Sequence, residues 1–295
     1  MPSHVSRLVL GAVLAAGALA ASAAPRMPLV TMLDGDATLL RDGGRFALAE
    51  GVRLQAGDLL ATGHQTRLLR LEFPGGPGIA LGPDSRAMVT PNLGESNHAG
   101  VYLLTGWAKV AAPADGPGAL RSPVADTDTA AGSLILDVDG GSAEAFAETG
   151  PSRVQPRAPD APAQQLRTGD RITVPANGKA VLGRGASPAF VQAMPRAFMD
   201  SLPSRLAAFS TDVAPRRLGE MTYADAQPWI DAEPSLRRVF AERWRRLAAN
   251  PQFRSGLVAG LKSHPEWHPI LYPPPPPPPP PPPSPPREHA ASSHP

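Results

Sequence analysis

The stretch that most constrains the fold is a run at residues 51–63, in which two glycine-centred turns enclose a short apolar segment. The backbone must reverse, extend for a few residues and reverse again, which is typical of short β-strands joined by tight turns. A second copy of its core, Gly-Asp followed by an alternating apolar strand, returns at Gly169 and Asp170. The two copies predict the beginning and the end of one all-β domain.

The order and spacing of several motifs resemble the periplasmic domain of the FecR family. The motifs are Gly-Asp-Leu-Leu-Ala-Thr-Gly at 57–63, a strand at 67–73, Leu-Gly-Pro-Asp-Ser at 81–85 and Leu-Thr-Gly-Trp-Ala-Lys-Val at 104–110. Each motif alone is only a turn signal, and together they cover roughly residues 29–185. A Pro-Gly-Gly-Pro-Gly turn replaces the family's Asp-Gly-Ser turn, so a hairpin is expected there without the chemistry of an acidic turn.

Composition favours many short strands and turns over a helix-rich enzyme. The 295 residues include 38 prolines and 28 glycines but only 4 Trp, 3 Tyr and 8 Phe. A net charge of +2 is too small to indicate nucleic-acid binding. The absence of cysteine excludes disulfides, thiolate catalysis, cysteine-type zinc sites and a lipid-modified N-terminal cysteine.

The N-terminus is typical of a cleavable secretory signal. Arg7 precedes an apolar run at 8–21, and Ala-Ser-Ala follows at 21–23. This pattern predicts a signal peptide over residues 1–23 and a periplasmic mature protein, with an uncleaved anchor as the alternative. Signalling FecR proteins carry a sizeable cytoplasmic anti-sigma segment before a membrane helix. Seven residues cannot fold into such a segment, so direct control of a sigma factor is not expected.

Glycine turns divide residues 24–187 into short strands, and we predict an antiparallel meander there. Asp-Gly at 34–35 predicts one hairpin and Gly-Gly at 140–141 predicts another, because both dipeptides accept the positive φ of tight turns. Residues 151–162 contain four prolines and little apolar content, which indicates a loop or insertion.

Period-2 alternation predicts which side chains face the core of the β domain. In 67–73, Leu69, Leu71 and Phe73 fall on one face, and Arg70 and Glu72 fall on the opposite, solvent-facing side. Asp137 and Asp139 share a strand face that alternation also directs outward, so they are interpreted as solvated carboxylates rather than a catalytic pair.

From residue 188 the apolar period becomes helical, and we predict a small helical appendage over 188–272. Thr222 and Asp225 have the spacing of a capping box, and Asn250 has the position of a helix cap. Between them a helix is predicted whose apolar face includes Val239.

A proline-rich tail over 273–295 follows, and its first eleven residues are consecutive prolines. Such a run adopts a polyproline II rod that cannot pack into a core. It could serve as a spacer or as a ligand for an aromatic groove, or it could be a tolerated low-complexity tail.

No catalytic, cofactor or metal site is predicted. His264 and His268 have the four-residue spacing of helical metal ligands, but prolines interrupt the helix and no third ligand is evident, so surface or helix-end histidines are favoured. Ser133 lacks the Gly-x-Ser-x-Gly turn of a hydrolase nucleophile. Five arginines crowd residues 237–246. The two aromatic residues of this segment, Phe240 and Trp244, belong to the predicted apolar face of the helix, so no aromatic side chain is left among the arginines to stack bases, and a solvated face is indicated.

The sequence therefore predicts an exported, mainly β protein with a small helical C-terminal appendage, acting as a non-catalytic binding, regulatory or sensing module with a protein partner in the envelope. The alternative is a module that binds cell-wall or surface glycan, with a hydrolase as the weakest reading. An aspartate that follows glycine in a turn usually bonds nearby backbone amides. We accordingly interpret one set of residues as structural: Gly57, Asp58, Thr62, Gly63, Gly169 and Asp170.

Overall fold

The computed structural model describes residues 27–93, 98–176 and 179–274. The predicted signal peptide and the proline-rich tail beyond residue 274 lie outside the described residues. Within these ranges the strands are β1 Leu29–Asp34, β2 Ala37–Arg41, β3 Gly44–Ala47, β4 Leu59–Thr62, β5 Leu68–Glu72, β6 Gly78–Leu81, β7 Arg86–Leu93, β8 His98–Ala112, β9 Gly118–Arg121, β10 Ala125–Thr129, β11 Gly132–Asp139, β12 Ser142–Thr149, β13 Ser152–Pro156, β14 Gln164–Leu166, β15 Asp170–Val174, β16 Val181–Arg184 and β17 Arg216–Glu220. The α-helices are α1 Pro188–Ala193, α2 Tyr223–Ile230, α3 Pro234–Arg243, α4 Pro251–Ala259 and α5 His268–Leu271.

The strands form two sheets that share β8. Sheet A has the order β1-β5-β6-β8-β11-β12-β15-β16 and is antiparallel throughout. Sheet B has the order β17-β3-β2-β4-β7-β8-β9-β10-β13-β14. Only the β8–β9 pair is parallel among these pairings. The mainly β prediction with C-terminal helices is confirmed, and the pairing is more interleaved than a simple meander.

Strand β8 passes from one sheet into the other at Gly106. Its first half pairs with β7 and β9 in sheet B, and its second half pairs with β6 and β11 in sheet A. Gly106 has φ of 91°, and a Cβ there would lie 2.6 Å from the Cα of Ser85. Because any side chain would both strain the backbone and clash, glycine is required at this bend.

One hydrophobic core lies between the two sheets. Leu69 and Leu71 of sheet A and Leu60 and Val101 of sheet B are almost completely buried in it. Phe73 is buried in the same core. The predicted inward placement of Leu69, Leu71 and Phe73 is therefore confirmed.

The region that follows the sandwich covers the outer face of sheet A. Helix α1 and the 3₁₀ turn Arg196–Met199 bury Phe190 and Phe198 against Leu68 and Ile135, which point away from the central core. Residues 197–206, which we call the strap, continue across this face without regular β pairing.

The chain then turns around the edge of the sandwich and covers the outer face of sheet B. The amide of Val213 donates to the Gly51 carbonyl at 2.8 Å, and β17 extends sheet B beside β3. Helices α2 to α5 bury an aromatic cluster against outward-facing Leu40, Leu59 and Tyr102 of sheet B. The helical region thus has a second core of its own, and the predicted domain boundary at residue 188 stays a prediction.

The predicted hairpin at residues 140–141 is confirmed, and the one at 34–35 is wrong. Strands β11 and β12 pair directly across the Gly-Gly turn. In contrast, β1 pairs with β5 in sheet A, and β2 pairs with β3 and β4 in sheet B. Val30 and Leu39 enter the core from opposite sheets, so the chain must cross between sheets at this turn instead of returning along its own strand.

The loop predicted at 151–162 is wrong in its first half, which forms β13. This strand pairs with β10 and β14, and Val154 in its centre is fully buried. Pro151 and Pro156 stand before it and at its end, where the missing amide donor costs the sheet little.

The predicted helix caps are confirmed, whereas the place of Val239 is wrong. Asp225 donates its amide to Thr222 Oγ1 at 3.2 Å and accepts from the Thr222 amide at 2.9 Å, and Asn250 caps α4. Val239 is 59% exposed, because the buried stripe of α3 runs through Phe240 and a neighbouring residue lies about 100° away around the helix. Within the described ranges, no helix is both long and apolar enough to cross a bilayer.

Candidate functional site

A cleft of about 550 Å³ opens between the outer face of sheet A and the strap. Its floor consists of small side chains on adjacent strands, and charged side chains stand along its walls. The residues that shape it include Gly78, Ala80, Ala111, Ser133, Arg70, Glu72, Lys109, Glu148, Asp115, Asp200, Leu202 and Ser204. None of the six residues predicted as a structural motif lines it.

Arg70 fixes the middle of the strap to β5. Its side chain is buried, and its guanidinium donates to the carbonyl oxygens of Leu202 and Pro203 at 2.9 and 3.1 Å. Carbonyl groups of an extended segment have no partners of their own there, so a forked donor satisfies two of them at once.

Glu72 holds the next part of the strap and is 3% exposed. Its carboxylate accepts from the hydroxyl groups of Ser204 at 2.5 Å and Thr31 at 2.7 Å, and from the Arg205 amide at 3.1 Å. Arg70 Nε lies 3.4 Å from it. Burial raises the pKa of Glu72, but these hydrogen bonds and the positive charge of Arg70 outweigh burial, so the pKa lies below its ordinary value.

Lys109 anchors the start of the strap from β8. Its ammonium group donates to the Phe198 carbonyl at 2.5 Å and forms an ion pair with Glu148 at 2.8 Å. The same Glu148 oxygen accepts from Ser133 Oγ at 2.7 Å, and that hydroxyl contacts Thr149 Oγ1 at 2.9 Å. Ser133 therefore faces a carboxylate that a lysine already neutralises, and the three side chains form a closed polar network.

The sequence predicted Arg70 and Glu72 on a solvated face, and this is wrong. Alternation gives the correct side of β5, but the strap covers that side, so both residues are less than a tenth exposed. The covering segment lies about 130 residues further along the chain, and nothing near β5 signals it. Near β5, the sequence shows only that Arg70 and Glu72 alternate with core residues, and this pattern does not indicate that a distant segment covers them.

The outward carboxylates on β11 differ from each other. Asp139 is exposed as predicted, whereas Asp137 is only partly exposed. Burial raises the pKa of Asp137 to about 6, with further contributions from Asp139 and Glu144. The interpretation as a fully solvated pair is therefore wrong for Asp137.

The two Gly-Asp turns have matching geometry. Asp58 accepts from the Gln55 amide at 2.7 Å, and Asp170 accepts from the Arg167 amide at 2.8 Å. The preceding glycines have φ of 78° and 81°. The hydrogen bond from the Arg167 amide lowers the pKa of Asp170, and Arg184 contributes as well. This geometry fits turn closure, and the structural role of both aspartates stays a prediction.

The first turn is more deeply fixed than the second. Asp58 is 1% exposed and pairs with both Arg41 Nε and Nη2, at 2.8 and 2.5 Å. Thr62 Oγ1 donates to the Gly82 carbonyl at 2.6 Å and accepts from the Ser85 amide at 2.9 Å. The Gly63 amide donates to the Asp36 carbonyl at 3.0 Å.

His264 and His268 differ in environment. His264 is fully buried, with its ring nitrogens 3.1 Å from the Leu257 carbonyl and 3.4 Å from Asp231. It stands at a helix end as predicted, at the N-cap of the 3₁₀ turn Pro265–Trp267, but a surface placement is wrong for it. His268 is exposed, and its ring lies 5.3 Å from the ring of Tyr272 at an angle of 49°. No group of three or more candidate metal ligands occurs within the described residues.

The arginines at 237–246 do not form a shared anion site. Arg243 donates to the Gly57 carbonyl at 2.6 Å, which links α3 to the first Gly-Asp turn. Arg237 pairs with Glu266, and Arg245 pairs with Glu242. Arg238 donates to the Pro234 carbonyl at 3.2 Å, so four of the five guanidinium groups are engaged within the chain.

Comparison with known proteins gives weak and partial matches. No protein-family model matches the chain, and no curated protein matches it. Two solved structures of a candidate anti-sigma factor from Parabacteroides distasonis are similar at 17% and 18% identity, with TM-scores of 0.37 and 0.38. The matches cover 43% and 45% of this chain and 59% and 64% of those chains. This chain therefore spans less than two thirds of the length of either of these structures.

Proposed function

We propose that this chain is an exported, non-catalytic FecR-like module that regulates or senses through contacts with an envelope protein. The proposal rests on the mainly β architecture together with the motif order over residues 29–185. It needs no cofactor and no nucleic acid.

The observation that carries the proposal is the use of charge in the cleft. Arg70 and Glu72 bond the strap backbone and each other, and Lys109 bonds the strap and Glu148. A catalytic acid, base or nucleophile needs a proton or lone pair that can reach a substrate. These groups are instead committed to holding one segment of the chain on a sheet, which builds a fixed surface for recognition.

Export is the first part of the proposal to test. The Ala-Ser-Ala pattern at residues 21–23 supports cleavage after Ala23. N-terminal sequencing of the mature protein from a Gram-negative host should begin at Ala24. Recovery of the full-length chain in the inner membrane would contradict it.

Partner contact is tested by site-specific crosslinking of the full chain in the envelope. A photoreactive phenylalanine analogue is placed singly at exposed positions on different faces, such as Ala111 in the cleft, Val181 on β16 and Ala249 on the helical side. We expect one discrete protein adduct at one face and none at the others. Absence of any protein adduct, with sedimentation of the chain on insoluble cell wall, would favour the glycan alternative and refute the protein-contact proposal.

The glycan alternative has little support in the cleft. Phe73 is the one aromatic side chain among its described lining residues, and it is buried in the sandwich core. Sugar rings usually stack on exposed aromatic faces, and this surface offers none among those residues.

A further inference from the structure

We propose that the cleft beside the strap binds an extended peptide segment of the partner, with a leucine-sized apolar side chain next to an arginine or lysine. This inference rests on the proposed function and specifies where and how the partner is recognised. Three independent features of the cleft support it: its floor, the backbone of the strap and the charge at its rim.

The floor of the cleft is recessed because the residues that form it have small side chains. Gly78, Ala80, Ala111 and Ser133 lie on adjacent strands of sheet A, where larger residues would have filled the space under the strap. The volume of about 550 Å³ is within the roughly 300–1,000 Å³ range of ligand pockets. It accommodates an apolar side chain together with the backbone on either side of it.

The strap offers unpaired backbone donors along the cleft. Its carbonyl groups at Leu202 and Pro203 are taken by Arg70. Within the described residues, the backbone amides of Ser201, Leu202 and Ser204 donate no hydrogen bond. An extended segment with free amides is the kind of edge to which another extended peptide adds by main-chain hydrogen bonds. A peptide therefore suits this cleft better than a compact small molecule.

The rim of the cleft selects a positive side chain. Inside the cleft, the positive charge of Lys109 is balanced by Glu148, and the positive charge of Arg70 is balanced by Glu72. Asp115 and Asp200 line the rim, are exposed and form no ion pair within the described residues. The uncompensated charge at the opening is therefore negative, and it favours arginine or lysine beside the apolar anchor.

The experiment measures binding of two defined peptides to the full chain by fluorescence anisotropy. Both are labelled, end-blocked hexapeptides, one of alternating arginine and leucine and the other of alternating glutamate and leucine. We expect the basic peptide to bind at least tenfold more tightly than the acidic one. Ala111→Phe fills the floor from an exposed position and should weaken basic-peptide binding at least tenfold, whereas the matched Ala249→Phe on the helical side should leave it unchanged.

Charge reversal at the rim supplies the second arm. Combining Asp115→Lys with Asp200→Lys changes two exposed side chains and should reverse the preference in favour of the acidic peptide. Circular dichroism checks that each variant is folded. Equal binding of both peptides, no binding of either to the wild-type chain, or full binding by Ala111→Phe would overturn the cleft proposal. An envelope crosslink at Val181 or Ala249 but not at Ala111 would overturn it while leaving the proposed function intact.

Discussion

Removing the Glu72 carboxylate should release the strap and destabilise the whole sandwich. The change is Glu72→Ala, which deletes an acceptor shared by Thr31, Ser204 and the Arg205 amide. It also leaves Arg70, which is 7% exposed, without the carboxylate that lies 3.4 Å from its Nε. One substitution thus breaks contacts to β1, to the strap and within β5.

The size of the effect follows from burial. Hydrogen bonds to a charged group contribute roughly 1.5–3 kcal/mol each, and loss of one partner of a buried pair costs roughly 3–5 kcal/mol. These figures describe the same desolvated carboxylate and do not add. We expect Glu72→Ala to lower the free energy of unfolding by about 3–5 kcal/mol. Glu72→Gln keeps the volume and one acceptor oxygen, and should cost about 1–3 kcal/mol.

The assay is urea unfolding followed by circular dichroism, together with hydrogen exchange of residues 197–206. Ser204→Ala is the matched control, because it removes one of the bonds to Glu72. It should cost about 1.5 kcal/mol, the low end of the range for a bond to a charged group, since Ser204 itself is exposed. In Glu72→Ala the strap amides should exchange faster than those of the central strands.

The pH dependence gives a separate check. The pKa of Glu72 is lower in the folded protein than its ordinary value near 4.3. Its contribution to stability is therefore present above about pH 4.3 and is lost as pH falls through the lower folded value. Glu72→Gln should flatten this acidic limb. The reasoning is refuted if Glu72→Ala costs no more than Ser204→Ala and strap exchange is unchanged, because apolar packing of Phe198 would then hold the strap alone.

Three further predictions concern the rest of the chain. Asp58→Ala should lower the free energy of unfolding by about 3 kcal/mol or more, since it leaves the Arg41 guanidinium unpaired, whereas Asp170→Ala at the more exposed turn should cost less; equal losses in urea unfolding would show that the Arg41 pair contributes nothing. Asp137→Asn should raise the free energy of unfolding by about 1 kcal/mol at pH 7 and not at all below about pH 4. The reason is that the raised pKa of Asp137 makes the stability of the wild-type protein fall as pH rises from about 4 through about 6. A gain that is independent of pH would contradict this. Deletion of residues 273–295 should leave the melting temperature unchanged, and a drop of several degrees would show that the tail packs on the fold. If the tail is a spacer or a docking ligand, the deletion should also reduce partner recovery, and a Gly-Ser replacement of equal length should restore recovery in part for a spacer and not for a docking ligand; unchanged recovery would identify a tolerated tail.

Local signals in the sequence predicted those parts of the fold that local chemistry decides. The Gly-Gly hairpin, the capping box at Thr222 and the inward face of β5 each depend on residues within a few positions of one another. The Asp-Gly turn at 34–35 shows what such local signals do not predict. The dipeptide specifies a turn, but whether the next strand joins the same sheet depends on distant partners that complete each sheet.

The candidate site could not be predicted for the same reason. Alternation places Arg70 and Lys109 on an outer face, which for most sheets is solvent. Here the strap arrives from more than 80 residues away and converts that face into an interior. The sequence of the strap contains Pro203 and short polar residues, and it has neither the helical nor the strand periodicity that would predict a segment covering a sheet.

Because the chain is synthesised from its N-terminus, most of the sandwich is made before the segments that cover its two outer faces. Every strand of the sandwich except β17 precedes residue 188, and the segments that cover both outer faces follow it. At about 5–20 residues per second, roughly 4–17 s of translation separate the last sandwich strand before α1 from the end of α5. Throughout that interval the nascent sandwich presents Leu68 and Ile135 on one side and Leu40 and Leu59 on the other. A pause or truncation within this window would leave these four apolar side chains without the segments that bury them in the complete fold.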